Sequence, residues 1–373
     1  MATIIYGLAG EGRGQAMRAK TVIEHLRAQN HRVIIYTFGQ ALEVLEPLYA
    51  GTEVEVNAIP GLRWGYLNGK VSFFKTTFQA LPLLAQIPFW AHRISKRMKQ
   101  ERADLILSDF EPITIHAAKL AGIPLWSLDH QRFLVHCDLG KLPTFEAFRV
   151  WCMRTAIRIV HGSPDRMLIS GFYLPELKKP NPHIERVGIL MRPAVLAAKP
   201  TRGEHLLAYM RRDCPDAFLE MLATCGREVR LYGLGERPPR GGIVFKATDP
   251  YTFIDDLASS YGLICTAGNQ LIGEAMYMSK AVLALPEASN SEQQMNAHLL
   301  RMSGAGMVVD FASVNAEDIA RFIDGAEMMS RRVDPESVSA NQRVLGLIDQ
   351  QLATTTRAVP VSSKADVKLQ AIS

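Results

Sequence analysis

Two groups of side chains in this chain have the types and the spacing to do chemistry. In the first, Gly268, Asn269 and Gln270 make a polar turn, and Glu274 lies one helical turn beyond it. Backbone N–H groups at the start of a helix suit an anion. A carboxylate one turn further in can accept hydrogen bonds from two neighbouring hydroxyls, such as those of a ribose. The plainer alternative is an acid that only complements the helix dipole. A polar loop over residues 287–291 then brings the amides of Gln293 and Gln294 to the same edge. The second group is Asp109 and Glu111 after one strand, and Asp129 and His130 after another. Histidine titrates where a general base must, and Asp109 or Asp129 would orient His130 and stabilise its charge. A lone loop histidine is usually a surface residue, but two acidic strand ends in one sheet favour function. Glu11, in an N-terminal glycine loop, is a further carboxylate. The spacing of these acids fits no standard metal-ligand set, so no metal site is expected.

The elements that must position these residues are strands and helices in alternation. Residues 3–6 read as a strand, 7–14 as a glycine turn, 15–28 as a helix and 33–36 as the next strand. A dinucleotide fingerprint fails here. The G-x-G-x-x-G spacing from Gly10 breaks at Gln15, and no acid closes the second strand to hold a ribose. Residues 263–265 and 281–285 are apolar runs joined by a short helix, which implies a parallel pair with a right-handed crossover. Asn269 is placed to cap that helix. Ligands of such sheets bind beyond the carboxyl ends of the strands. Both groups of side chains sit at such ends. The organisation this predicts is an N-terminal domain over residues 1–190, a second domain over 191–335, a helix over 336–352 crossing back to the first, and a disordered tail over 353–373.

Bulk properties narrow the class. With 48% hydrophobic and 21% charged residues, the 373-residue chain can build two α/β domains. Five cysteines without CxxC spacing argue for reduced thiols and against a disulfide framework. No basic and apolar leader precedes the first strand and no apolar run reaches the length of a membrane span, so a cytoplasmic place is expected. A net charge of +5 suits an anionic substrate or membrane surface. No nucleic-acid-binding motif accompanies it. Residues 64–102 interleave aromatic and aliphatic side chains with lysines and arginines, while Pro82 and Pro88 are expected to interrupt any long helix. Such a segment can lie in the interface at the inner face of a membrane, or be a core helix with a solvated basic end.

The residues from Thr266 through Glu274, the loop at Pro286, and Glu292, Gln293, Asn296 and Ala297 resemble the donor-sugar motif of GT-B glycosyltransferases. Residues 253–258 are similar to a segment of the MurG type, which adds N-acetylglucosamine to the lipid-linked cell-wall precursor. The resemblance implies that Ile254 lies near uracil, that Glu274 holds the ribose and that Gln293 and Gln294 contact the sugar. Arg192 falls where relatives carry an arginine near the donor. The loop with Gly12, Arg13, Gly14 and Gln15 resembles the family's first loop at the cleft, with Arg18 matching its arginine. Where relatives carry a candidate base histidine, this chain has Gln15, whose amide takes no proton near neutral pH. The base is then sought among Asp109, Asp129, His130 and Glu11. The family's glycine-rich turn after the first strand of the second domain is absent here, and Arg211 or Arg212, with helix N-terminal amides, would bind the diphosphate unless both are merely solvated. The implied protein is α/β, with two Rossmann-like domains. It would move a sugar from a nucleotide-sugar, a UDP-sugar, to a hydroxyl of a lipid or glycan acceptor by inversion, with no metal or cofactor. Two rivals share the fold: a nucleotide-sugar 2-epimerase, and a non-catalytic nucleotide-sugar-binding partner protein that Gln15 would suit.

Overall fold

A computed structural model describes residues 1–11, 13–62, 65–67, 70–71, 73–210, 214–247 and 249–357. The first half contributes β1 (Thr3–Leu8), β2 (Arg32–Thr37), β3 (Glu55–Ala58), a small antiparallel pair β4 (Tyr66–Leu67) and β5 (Lys70–Val71), then β6 (Leu105–Asp109), β7 (Leu125–Asp129), β8 (Arg166–Ser170) and β9 (Ile184–Val187). Apart from the small pair they form a parallel sheet in the order β3-β2-β1-β6-β7-β8-β9. The second half contributes β10 (Leu206–Tyr209), β11 (Val229–Tyr232), β12 (Ile243–Lys246), β13 (Gly262–Cys265), β14 (Ala281–Ala284) and β15 (Gly306–Val308). These are again parallel, in the order β12-β11-β10-β13-β14-β15. In both sheets the chain starts in the middle, runs to one edge and jumps back past its first strand. The switch points lie between β1 and β6 and between β10 and β13. Crevices open at such points; Asp109 leaves from β6 and the Gly268 turn from β13 there, with Asp129 and His130 one strand further, after β7.

Helices cover the sheets on both faces, as parallel strands require. They are α1 (Arg13–Ala28), α2 (Gly39–Tyr49), α3 (Phe73–Gln100), α4 (Pro112–Ala121), α5 (Phe133–His136) and α6 (Thr144–Val160) in the first half. The second half adds α7 (Pro193–Ala197), α8 (Asp216–Ala223), α9 (Pro250–Ser259), α10 (Asn269–Tyr277), α11 (Ser291–Ser303), α12 (Ala316–Ser330), α13 (Pro335–Val338) and α14 (Asn341–Arg357). The last helix returns to the first sheet. Val344, Ile348 and Leu352 bury themselves among Ala19, Ile23 and Leu26 of α1, and His25 Nε2 lies 2.9 Å from Asp349. Residues 353–357 continue α14, and 358–373 lie outside the described residues.

Two local expectations are corrected. Pro82 and Pro88 do not divide the 64–102 segment: both sit inside the single helix α3. Each proline removes one intrahelical hydrogen bond. Leu83, Ile87, Ala91, Ile94 and Met98 recur every three or four residues and are buried with Ile113 and Ala117 of α4. Tertiary packing of that stripe holds the helix through both prolines. The second correction concerns α10. Gly268 occupies its N-cap position without a side-chain cap, so Asn269 is the first helical residue and does not cap.

Candidate active site

The C-terminal side of the junction is built on the turn after β13. Ala267 adopts a left-handed φ of 58° there, turning the chain so that α10 starts at the sheet edge. Both polar atoms of the Asn269 side chain are buried without a hydrogen-bond partner in the protein, and so is Gln270 Oε1. Native structures leave few such groups, and at a helix N-terminus they ask for a ligand. Glu274, 1% exposed, is held from both sides. Arg192 donates to it through Nε at 2.8 Å and Nη2 at 2.5 Å. Gln270 Nε2 donates to Glu274 Oε1 and to Leu190 O, both at 3.0 Å. The family resemblance implies a place near one donor for Arg192 and Glu274, and the structure pairs the two directly.

The loop after β14 is braced by the two glutamines. Gln293 Oε1 accepts from Glu287 N at 2.8 Å, and Gln294 Nε2 donates to Glu287 O at 3.2 Å. Asn290 caps α11. Ile254 is buried in the C-terminal core with Phe253, so its side chain is enclosed and only its backbone is left for a base. Arg211, Arg212 and Gly12 fall outside the described residues, as does the side chain of Arg13.

From the first domain, the glycine loop comes up against α10. A Cβ on Gly14 would lie 3.6 Å from Gln270 Cβ. The loop itself is tight, since a Cβ on Gly10 would lie 1.9 Å from Phe38 O. With its amide turned to donate, Gln15 bonds to Ala9 O at 3.0 Å and Glu11 O at 3.1 Å. Gln15 therefore shapes the loop that carries Glu11.

The expected support of His130 by Asp109 or Asp129 is not found. Asp109 is fully buried and receives Arg18 through Nε at 2.9 Å and Nη2 at 2.6 Å. Asp129 receives Arg132, by its backbone N and by Nε, both at 3.0 Å. Each acid is taken by an arginine, whose charge offsets the cost of burying the carboxylate. His130 instead bolts the two domains together. Its Nδ1 lies 2.8 Å from Ser170 O and its Nε2 2.7 Å from Asn296 Oδ1, while Asn296 Nδ2 donates to Ala267 O at 2.9 Å. Burial lowers the His130 pKa, opposed by these hydrogen bonds and by the charge of Glu292. Burial also pushes Asp109 up to about 6 against the pull of Arg18. The sequence reading missed the partners Arg18 and Asn296 and the nearby acid Glu292. Glu292 and Asn296 stand in the very motif that suggested a donor site, so position in that motif was the available signal.

Glu111 turns out to be a cap. Its carboxylate accepts from Ile113 N at 2.7 Å and Thr114 N at 2.6 Å, with Pro112 opening α4. Burial nonetheless pushes its pKa from 4.5 to about 7, against those bonds. A folded-state pKa above the unfolded one means that the fold holds the proton longer. The contribution of this group to stability is then full below the unfolded pKa and is lost as pH rises through 7. Denaturant titrations of wild type and Glu111→Gln should show the wild type's relative stability falling between pH 4.5 and 7.5. A difference that stays constant or grows with pH would contradict the assignment.

Two parallel α/β domains, joined where a helix N-terminus, an arginine and a buried glutamate meet a glycine loop, make this a GT-B glycosyltransferase. The model of Glycosyl transferase family 1 matches residues 2–326, and the chain belongs to that family. A relative in Cellvibrio japonicus, the UDP-N-acetylglucosamine–N-acetylmuramyl-(pentapeptide) pyrophosphoryl-undecaprenol N-acetylglucosamine transferase, is 26% identical over 344 residues, covering 85% of this chain and 87% of the relative. MurG of Acinetobacter baumannii shares the fold with a TM-score of 0.62 at 14% identity, over 94% of this chain and 100% of that one. The kitacinnamycin glycotransferase does so with a TM-score of 0.66 at 15% identity, over 94% and 99%. A Medicago truncatula enzyme complexed with UDP-glucose gives 0.63 at 12% identity, over 94% and 98%.

Proposed function

We propose that this enzyme transfers a sugar from a UDP-sugar to a hydroxyl of a lipid or lipid-linked acceptor, with inversion and without a metal. The observation that carries the reading is the start of α10, where the Asn269 side chain is buried without a partner and Gln270 and Arg192 both donate to Glu274. The names of the Cellvibrio relative and the Medicago complex support UDP as the nucleotide, and the former supports a lipid-linked acceptor. The donor lies on the second domain, residues 191–335, and the acceptor on the first, residues 1–190. The acceptor oxygen attacks the anomeric carbon, the bond from that carbon to the diphosphate breaks, and the acceptor proton passes to a base. The α10 N-terminus and Arg192 meet the charge that grows on the diphosphate. We assign the proton to Glu11 on its place in the glycine loop, which Gln15 holds through Ala9 O and Glu11 O and which comes up against the start of α10 at Gly14. Calorimetry with a panel of nucleotides, then a transfer assay with lipid-linked acceptors, tests the reading. No affinity for any uridine nucleotide would sink it, and a changed sugar in the absence of acceptor would mean an epimerase.

The acceptor's lipid implies work at a membrane surface, at the cytoplasmic face. Among the described residues no helix is long and apolar enough to cross a membrane. On α3, Arg93, Lys96 and Lys99 are exposed, whereas Arg97 is tied to Glu55 and Asn57. Each exposed basic residue near an anionic surface is worth about 1 kcal/mol, and salt screens it. The expected result is salt-sensitive co-sedimentation with anionic vesicles, weakened about a hundredfold when all three become serine. Unchanged sedimentation of that variant would place the contact elsewhere.

A further inference from the structure

The outward face of α6 takes no part in the transfer step. Phe145, Phe148, Trp151 and Ile159 fall on one side of this helix by its 3.6-residue period. They are 68%, 59%, 60% and 73% exposed. Phe148 and Trp151 stack with ring centroids 6.1 Å apart. Large apolar side chains gathered in water on one helix face, with Thr155 between Trp151 and Ile159, mark a binding surface.

The two ends of the row say what it binds. At its start, Arg149 packs over the Phe145 ring, donates to Ala288 O at 3.5 Å and bonds to Ser291 Oγ. The row therefore begins beside the loop that Gln293 and Gln294 brace. At its far end Ile159 walls an apolar groove of about 490 Å³, with Leu84 and Ile87 of α3 and Lys119 and Leu120 of α4. The span from Phe145 to Ile159 is about 21 Å at 1.5 Å per residue. Charge identifies the partner further. Helices α3, α4 and α6 carry nine lysines and arginines and one acid, Glu146, which is paired with Arg149. Nine against one is a net +8. The whole chain is +5, so everything outside these three helices is net −3. The apolar track runs through a strongly basic group of helices.

We propose that the α6 face and the groove at its end form a track for the long apolar chain of an anionic amphiphile drawn from a bilayer, with the polar end of that amphiphile at the 286–291 loop. This rests on the lipid-acceptor reading above and gives that acceptor's tail a place on the protein. The chain lies along Phe145, Phe148 and Trp151 and ends between α3, α4 and α6. The basic residues of the three helices attract its negative head group during entry.

The test is calorimetry of the full chain with decyl phosphate below its micelle concentration, with inorganic phosphate as the head-group control. Wild type should bind decyl phosphate at least tenfold more tightly than phosphate. Phe148→Ser with Trp151→Ser, and separately Leu120→Glu with Ile159→Glu, should each lose at least tenfold. All four positions are exposed, so melting temperature and UDP affinity should match wild type. Equal affinity for the two ligands overturns the track, as does wild-type affinity in either double variant. Binding to phosphatidylglycerol vesicles but not to decyl phosphate also overturns it, in favour of a flat membrane contact. Chain binding in an enzyme that transfers sugar only to tailless acceptors overturns the lipid-acceptor reading and leaves the track. Transfer to lipid acceptors that is indifferent to both double variants overturns the track alone.

Discussion

Glu274→Ala should weaken UDP binding about ten- to a hundredfold, corresponding to roughly 1.5–3 kcal/mol for a lost hydrogen bond to a charged group. The structure makes the reason testable in more detail than the sequence did. Glu274 has two possible jobs. One is to accept hydrogen bonds from the ribose hydroxyls. The other is to hold Arg192, whose Nε and Nη2 lie 2.8 and 2.5 Å from its carboxylate, in reach of the diphosphate. A comparison of UDP with 2′-deoxy-UDP separates them. Direct ribose contact predicts that wild type prefers UDP and that Glu274→Ala loses the preference. A positioning role predicts equal losses for both nucleotides, reproduced by Arg192→Ala. Calorimetry on the folded variants decides. A Glu274→Ala protein that binds both nucleotides as wild type does would remove Glu274 from the donor site altogether.

Much of the scaffold was legible because parallel α/β units write themselves locally. Short apolar runs ending in glycine or polar turns gave the strands, and they placed Asp109, Asp129 and Gly268 at strand ends, where β6, β7 and β13 stop. The identity of contacts was not legible, because contacts are chosen across long separations. Arg18 and Asp109 are 91 residues apart, and His130 and Asn296 are 166 apart. A sequence shows that Asp109 and Asp129 need cations if buried, but not which arginine arrives first. The same limit explains Asn269. Its type suits a cap, yet the preceding Gly268 takes the N-cap position and the amide is left buried without a partner. The prolines of α3 were misread for a related reason. The local cost of a proline is visible in the sequence, while the burial of the α3 stripe against α4 that outweighs it belongs to the fold.

The Arg18–Asp109 pair should give the largest effect on stability, and it also settles whether Asp109 takes part in the chemistry. Both side chains are buried, at 4% and 0% exposure. Beside them the Tyr6 hydroxyl is buried without a partner, and a neutral phenol compensates neither charge. Removing one partner of a buried ion pair leaves an uncompensated charge and costs about 3–5 kcal/mol. Arg18→Met and Asp109→Ala should each lose that much in denaturant titrations. The double variant buries no charge, so it should lose less than the sum of the two, and in the limit no more than either alone. Strict additivity would mean that the two side chains do not depend on each other, contrary to the 2.6–2.9 Å contacts between them. The double variant is also the right protein in which to measure turnover. If it folds, binds UDP and still transfers sugar within a few-fold of wild type, Asp109 serves the fold and the proton goes elsewhere. If it folds and binds UDP but turnover falls a thousandfold, the scale of a lost general base, then Asp109 is the base and the assignment to Glu11 is wrong.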